Sequence, residues 1–365
     1  MSKRNIAGVT LALLLLDGAA FCSTKPFEKV GQQVNNATTF PRGVRNIGMG
    51  GVGAADISGF SSGYFNPASF AWSDAVTLGA STNDFMKYQE YFDTRLSAGY
   101  PFKDTFRGTD LRLGGSLAYS TMSLDLGCSR TIYDPSGEDC GETDNPEYYL
   151  SGSLAAGAKR GIWELALGWT AKYLEVKSIG HYTTWAFDLG FIAAADIEQA
   201  DGFRLRPRIG ASVRNLGKDI DLTGDNTSYQ PSVIEQPGEH RYGFGVDVSA
   251  PPIDAVTAKL RRGVPAVGVS IDYDIVKGDG SNHADGWAFG AEVSFFEMVS
   301  VRAGRSDDVF FSTDCTTYGI GLGWDFGRVL VQFDYARMNP SCDACTFLGI
   351  NPEEDAFGLV LGGRF

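Results

Sequence analysis

Hydrophobic and polar residues alternate along most of this chain, most clearly over 161–176, GIWELALGWTAKYLEV. Trp163, Leu165, Leu167, Trp169, Ala171 and Tyr173 share one face; Glu164, Ala166, Gly168, Thr170 and Lys172 share the other. A period of two belongs to a β-strand. A half-buried soluble strand keeps it for about 4–8 residues, whereas a tilted membrane-spanning strand needs roughly 9–11. Similar alternation recurs near 75–84, 91–101, 110–122, 147–159, 182–197, 203–215, 240–250, 264–275, 286–296, 298–306, 316–326, 328–337 and 356–365. With 161–176 this predicts fourteen strands. In the last, Phe357, Leu359, Leu361, Gly363 and Phe365 share one face, and Gly358, Val360, Gly362 and Arg364 the other. An alternating terminal strand ending in Phe resembles the C-terminal signal of a bacterial outer-membrane barrel. Lipid offers no partner to an open sheet edge, so such strands must close. The expected fold is all-β, a 14-stranded antiparallel transmembrane β-barrel.

The N-terminus fits export. Lys3 and Arg4 precede an apolar run of 11 residues, Ile6 to Leu16, then Gly18, Ala19 and Ala20. That run is too short to span a bilayer and suits a signal peptide over 1–22. Cys22 raises a lipoprotein alternative, against which Phe21 stands where a small residue is wanted. Residues 23–74 are expected to form an N-terminal plug and 75–365 the barrel.

With both termini in the periplasm, the longest connections, near 123–146, 216–239 and 338–355, all fall outside. The tight turns around Arg160, Glu297 and Gly327 fall inside. Short periplasmic turns and long outer loops characterise these barrels. Cys128, Cys140, Cys315, Cys342 and Cys345 then map to outer loops, where disulfides persist. Cys128–Cys140 is the expected bridge; Cys315 is left to pair with Cys342 or Cys345. A redox or zinc role for Cys342 and Cys345 lacks the matching second pair.

Composition agrees. The 365 residues include 46 Gly, 24 Phe, 15 Tyr and 6 Trp at only 43% hydrophobic content, which suits a wall apolar outside and polar inside. The formal charge of −13 argues against nucleic acid as a partner.

Residues 41–72 read PRGVRNIGMGGVGAADISGFSSGYFNPASFAW. Arg45, Gly48, Met49, Gly50 and Gly51, followed by Asn66, Pro67 and Ala68, resemble the start of the FadL-type outer-membrane superfamily, nearer its PorV/PorQ-like branch. Gly210 to Gly217, Gly290–Glu292, Val301–Gly304 and Asp334–Ala336 extend the resemblance over nearly all of the mature chain. It implies a fourteen-stranded barrel with the N-terminal segment folded inward. It also implies uptake of hydrophobic or amphipathic molecules such as long-chain fatty acids or, alternatively, partnership with exported proteins or secretion-system components. Outer-membrane lipid is the expected surrounding partner in both cases. Phe60, Tyr64, Phe65 and Phe70 are candidates to contact an apolar ligand, or to pack the plug against the wall.

Parity places Arg204, Arg206, Arg208 and Arg214 on one inward face. They are suited to an anionic head group, or to a lattice with the inward acids Glu164, Asp188, Asp247, Asp272, Asp274, Glu292, Asp325 and Asp334. The histidines His181, His240 and His283 are far apart, and no zinc spacing, phosphate loop or nucleophile elbow is present. No catalysis, cofactor or metal is expected.

Overall fold

The computed structural model describes residues 42–85, 89–106, 108–124, 147–176, 182–199, 202–218, 220–221, 233–234, 238–251, 265–279, 285–310, 313–326, 329–341 and 354–364. Fourteen long strands carry the fold: β1 Ala75–Phe85, β2 Gln89–Phe106, β3 Thr109–Leu124, β4 Glu147–Arg160, β5 Trp163–Val176, β6 Tyr182–Ala195, β7 Arg204–Gly217, β8 Gly238–Ala250, β9 Val267–Asp279, β10 Gly286–Phe295, β11 Val299–Phe310, β12 Thr313–Asp325, β13 Val329–Ser341 and β14 Glu354–Arg364. Each pairs antiparallel with its neighbours, and β1 pairs with β14 from Ala75↔Arg364 to Asp84↔Asp355. The sheet therefore closes and the long strands leave no open edge.

The alternation resolves into two faces. Leu154 is 67% exposed and Leu167 65%, and Leu78, Leu189, Phe244, Val301 and Leu359 are also exposed on the outside. Glu164, Lys172, Arg208, Asp272 and Asp334 are buried inside. Outward aromatics gather toward the strand ends. Tyr119–Tyr148, Tyr173–Trp185, Tyr273–Trp287 and Tyr335–Phe357 pair toward one end, with Tyr100–Phe102, Trp163 and Trp324 toward the other. Aromatic girdles flanking an apolar band are what a membrane-spanning barrel presents to the two interfaces.

Two expectations need correction. Cys315 does not lie in a loop: it is buried in β12, where the sheet continues beyond the alternating core of the strand. The connection 251–266 is longer than 342–353, because β13 extends to Ser341. It sits at the end carrying the short turns, so the two ends differ less in loop length than expected. Cys128, Cys140, Cys342 and Cys345 lie outside the described residues, and so do the signal peptide and Phe365.

Residues 42–74 precede β1 and are mostly buried. They form helix α1, Val44–Gly48, and two 3₁₀ turns, Ser62–Tyr64 and Pro67–Trp72. The second turn starts at Asn66, whose side chain accepts from the Ala68 amide, with Pro67 at its first position.

Candidate functional site

The segment 42–73 makes one circuit of the barrel interior. Val44 meets β14, Gly48 meets β12, Gly50 meets β11, Ala54 meets β7, Asn66 meets β6, Ala68 meets β5, Ala71 meets β4 and Ser73 meets β2. Twelve of the fourteen strands offer it a glycine at which an added Cβ would come within 3.3 Å of the segment. The other two contribute Asp274 on β9 and Ala336 on β13. The inner wall is thus stripped of side chains where the segment's backbone runs. Gly50 meets two constraints at once: its φ is +73°, and a Cβ there would lie 2.7 Å from Arg305 N and Phe289 O.

Hydrogen bonds and ion pairs fasten this circuit. The Asp56 carboxylate accepts from Arg45, from Asn46 Nδ2 at 3.2 Å, from Ser58 Oγ at 3.0 Å and from Ser62 Oγ at 2.5 Å, and Arg208 of β7 reaches it at 3.4 Å. Burial alone would raise this carboxyl's pKa. The Arg45 and Arg208 guanidiniums, with the Ser62 and Ser58 hydroxyls, outweigh it and hold the group well below the usual carboxylate range. Arg45 also pairs with Glu292 of β10 at 3.1 Å. On β9, Asp274 Oδ2 accepts the backbone amides of Gly53 at 2.8 Å and Ala54 at 3.0 Å, and Arg241 of β8 donates to the Gly51 carbonyl at 2.8 Å. Asn66 Nδ2 donates to the Ala54 carbonyl at 2.7 Å and the Phe191 carbonyl at 3.0 Å, tying the segment to itself and to β6.

Cations and rings fill the centre. The Arg42 guanidinium lies 3.8 Å from the Tyr149 ring centroid and 4.8 Å from those of Tyr64 and Tyr91. Arg214 sits 4.2 Å from Tyr64 and Arg241 4.7 Å from Phe65. Such contacts compensate cations taken out of water.

The predicted residues distribute unevenly. Tyr64, Phe65 and Phe70 are fully packed and present no surface to a ligand in this conformation. Phe60 lines a cavity of only about 20 Å³. Arg208 is spent on the buried Asp272 at 3.0 Å and the partly exposed Asp247 at 2.9 Å, and Arg214 on the buried Glu239 at 2.8 Å. Arg204 and Arg206 lie toward the end carrying turn 161–162, where they pair with Asp196 and Glu164. Arg42, Asn46, Asp56, Glu239 and Arg241 were not anticipated, and Lys172 was placed on the inward face without a partner. Lys172, Glu239 and Arg241 lie on the inward parity of their strands, and Arg42, Asn46 and Asp56 within the 42–73 segment; Arg42 and Lys172 take their partners from other strands, Glu239 and Arg241 pair with each other on β8, and Asn46 bonds within the segment.

Two hollows complete the site. A polar cavity of about 410 Å³ opens at the end carrying turn 161–162, bordered by Arg112, Arg204, Arg206, Trp72 and Ile57. An apolar hollow of about 850 Å³ lies on the membrane-facing wall, among Leu113, Leu154, Leu167, Trp169, Leu189 and Phe191. Its floor includes Gly114, Gly168 and Gly190, the positions against which residues 66–71 are seated on the inner side.

No family model matches the chain, and no curated protein matches it. Among solved structures it is similar to the Ralstonia pickettii toluene transporter TbuX, at 14% identity and a TM-score of 0.49 over 91% of this chain and 100% of that one. It is also similar to the CymD monoaromatic hydrocarbon channel, at 12% identity and 0.47 over 89% and 97%. The Acinetobacter baumannii outer membrane protein Omp33 gives 11% and 0.38 over 80% and 98%. These are likenesses of architecture at low identity, so what the chain does has to come from its own residues. Its closure, outward apolar band, aromatic girdles and charged interior define a transmembrane β-barrel of the outer-membrane type.

Proposed function

We propose that the chain is a non-enzymatic outer-membrane barrel for passive uptake of small hydrophobic or amphipathic molecules, with residues 42–73 as the plug that gates it. The observation that carries this reading is the relation between the two sides of one wall. Over β3 to β6 the inner face holds glycines against the plug backbone, while the outer face is an apolar hollow of about 850 Å³. An apolar solute dissolved in the bilayer finds there a surface matched to it, one sheet thickness from the segment that closes the lumen. The dense charge lattice around that segment opposes free diffusion of polar solutes, which disfavours a simple porin.

Proteoliposomes containing the full mature chain test this. They should accumulate an uncharged fluorescent probe such as N-phenyl-1-naphthylamine on an interior acceptor faster than protein-free vesicles. Equal rates would sink the uptake reading.

The second reading, a PorV-like partner of exported proteins with periplasmic termini, draws on the same sealed interior, because a surface anchor has no need of a path. It predicts equal rates in that assay together with recovery of a stoichiometric exported protein from the native membrane.

A further inference from the structure

Lys172 of β5, Asp188 of β6 and Asn215 of β7 meet on the inner wall, and all three are buried, at 1%, 1% and 2% exposure. Lys172 Nζ lies 2.7 Å from Asp188 Oδ2 and donates to Asn215 Oδ1 at 2.8 Å. Asp188 Oδ1 accepts the backbone amide of Asn215 at 2.8 Å. One carboxylate therefore holds both the amine and the asparagine.

A local break in the sheet brings Asn215 here. Alternation along β7 points Val213 outward and Arg214 inward, and would send the next side chain into the bilayer. Between the pairs Phe187↔Leu216 and Leu189↔Val213, however, Asp188 alone stands opposite both Arg214 and Asn215. Such a bulge re-aims a side chain. Asn215 adopts a φ of +57°, a conformation asparagine takes more readily than most residues. Arg214 and Asn215 are consequently both buried. An amine, a carboxyl and a carboxamide are thus gathered from three strands, away from bulk water.

The neighbourhood is rich in cations. Lys172 Nζ is 5.8 Å from the Tyr64 ring centroid, and the Arg42 and Arg214 guanidiniums approach the same ring to 4.8 Å and 4.2 Å. Of these three cations only the lysine can give up a proton and act as a nucleophile.

We infer that the folded chain links Lys172 to Asn215 through an isopeptide bond, with Asp188 moving the protons. Asp188 takes one proton from the Lys172 ammonium. The neutral Nζ attacks Asn215 Cγ, one C–O bond beyond the oxygen it already contacts. As the Nζ–Cγ bond forms, Asp188 hands its proton to Nδ2 and takes a second from Nζ. The Cγ–Nδ2 bond breaks and Nδ2 leaves as ammonia. The third lysine proton stays on the new amide nitrogen, and Asp188 ends as a neutral carboxyl. Nothing is oxidised or reduced, and no co-reactant is consumed. Neutral groups replace a buried ion pair, which removes the cost of keeping two charges out of water. The link straps β5 to β7 across β6, beside Tyr64 of the internal segment. It goes beyond the uptake reading and does not depend on it.

Mass spectrometry of the full mature chain, extracted from membranes as a folded barrel and then denatured, reads the bond. The chain should be lighter than its sequence by one ammonia, and protease digestion should release Lys172 and Asn215 in one branched peptide. Asp188→Asn should carry the full mass while still running as a heat-modifiable barrel. Full mass and separate peptides from the wild-type chain would overturn the inference, with no variant needed. Ammonia lost without a branched peptide would mean an asparagine cyclised on its own backbone, and would overturn it equally. Loss of water in place of ammonia, with Lys172 joined to Asp188, would overturn the choice of Asn215. A link that persists in Asp188→Asn would overturn the part given to Asp188.

Discussion

Asp56 holds most of the residue-scale argument. It is buried, and it accepts from two arginines, an asparagine and two serines. Removing one member of a buried charge network leaves its partners uncompensated, at a cost of about 3–5 kcal/mol. Asp56→Ala should therefore expose residues 42–73 to protease while the barrel still runs as a heat-modifiable band on gels. Simultaneous loss of both would mean that the segment and barrel cannot be separated. Glycine makes a second prediction at this scale. A Cβ at Gly210 would strike the Ala54 carbonyl, whereas one at Gly152 would meet only Leu117 at 3.6 Å. Gly210→Ala should lower the unfolding free energy by about 1–3 kcal/mol and Gly152→Ala should leave it nearly unchanged, both read from urea midpoints in vesicles.

At the scale of the element, the strands were legible because their two faces meet different media. Leu167 and Glu164 are three residues apart on β5, one exposed to the bilayer and the other buried in the lumen. Leu167→Arg should destabilise insertion by roughly 2–4 kcal/mol near the bilayer midplane, seen as a lower urea midpoint for refolding into vesicles. The same parity put Arg204, Arg206, Arg208 and Arg214 inside, but it carries no information about partners. Arg208 finds Asp272 and Asp247 on β9 and β8 and Asp56 on the internal segment, pairings set by closure of the barrel and by the path of that segment. Cys315 was misplaced for a related reason: strand pairing continues past the point where alternation fades. The glycine circuit left a faint trace, since Gly168 shares the face of Glu164 and Lys172 in the sequence, but only the folded wall reveals that twelve strands share the device.

The internal segment also has a pH dependence. The Asp56 pKa is depressed in the folded state, so its contribution is complete above the ordinary carboxylate value of about 3.9. It declines only as pH falls below that value and through the lowered native one. The loss of protease resistance of residues 42–73 caused by Asp56→Ala should accordingly be as large at pH 5 as at pH 7. A markedly smaller loss at pH 5 would mean that the Asp56 pairs are already broken there.

The whole molecule is a barrel with something inside it, and the claim about function depends on whether that inner circuit moves. A Cβ built at Gly157 of β4 lies 3.1 Å from the Ala71 Cβ, near the roughly 3.5–4.5 Å separation of disulfide-linked residues. The double substitution Ala71→Cys and Gly157→Cys would tether the internal segment to the wall beside the apolar hollow. The decisive measurement is uptake of N-phenyl-1-naphthylamine into proteoliposomes of this variant, oxidised and then reduced, beside the unsubstituted chain given the same treatment. A gating plug predicts that oxidation stops uptake, that reduction restores it, and that the unsubstituted chain is indifferent to both. Equal uptake by the oxidised and reduced variant, with the cross-link verified by mass spectrometry, would contradict it.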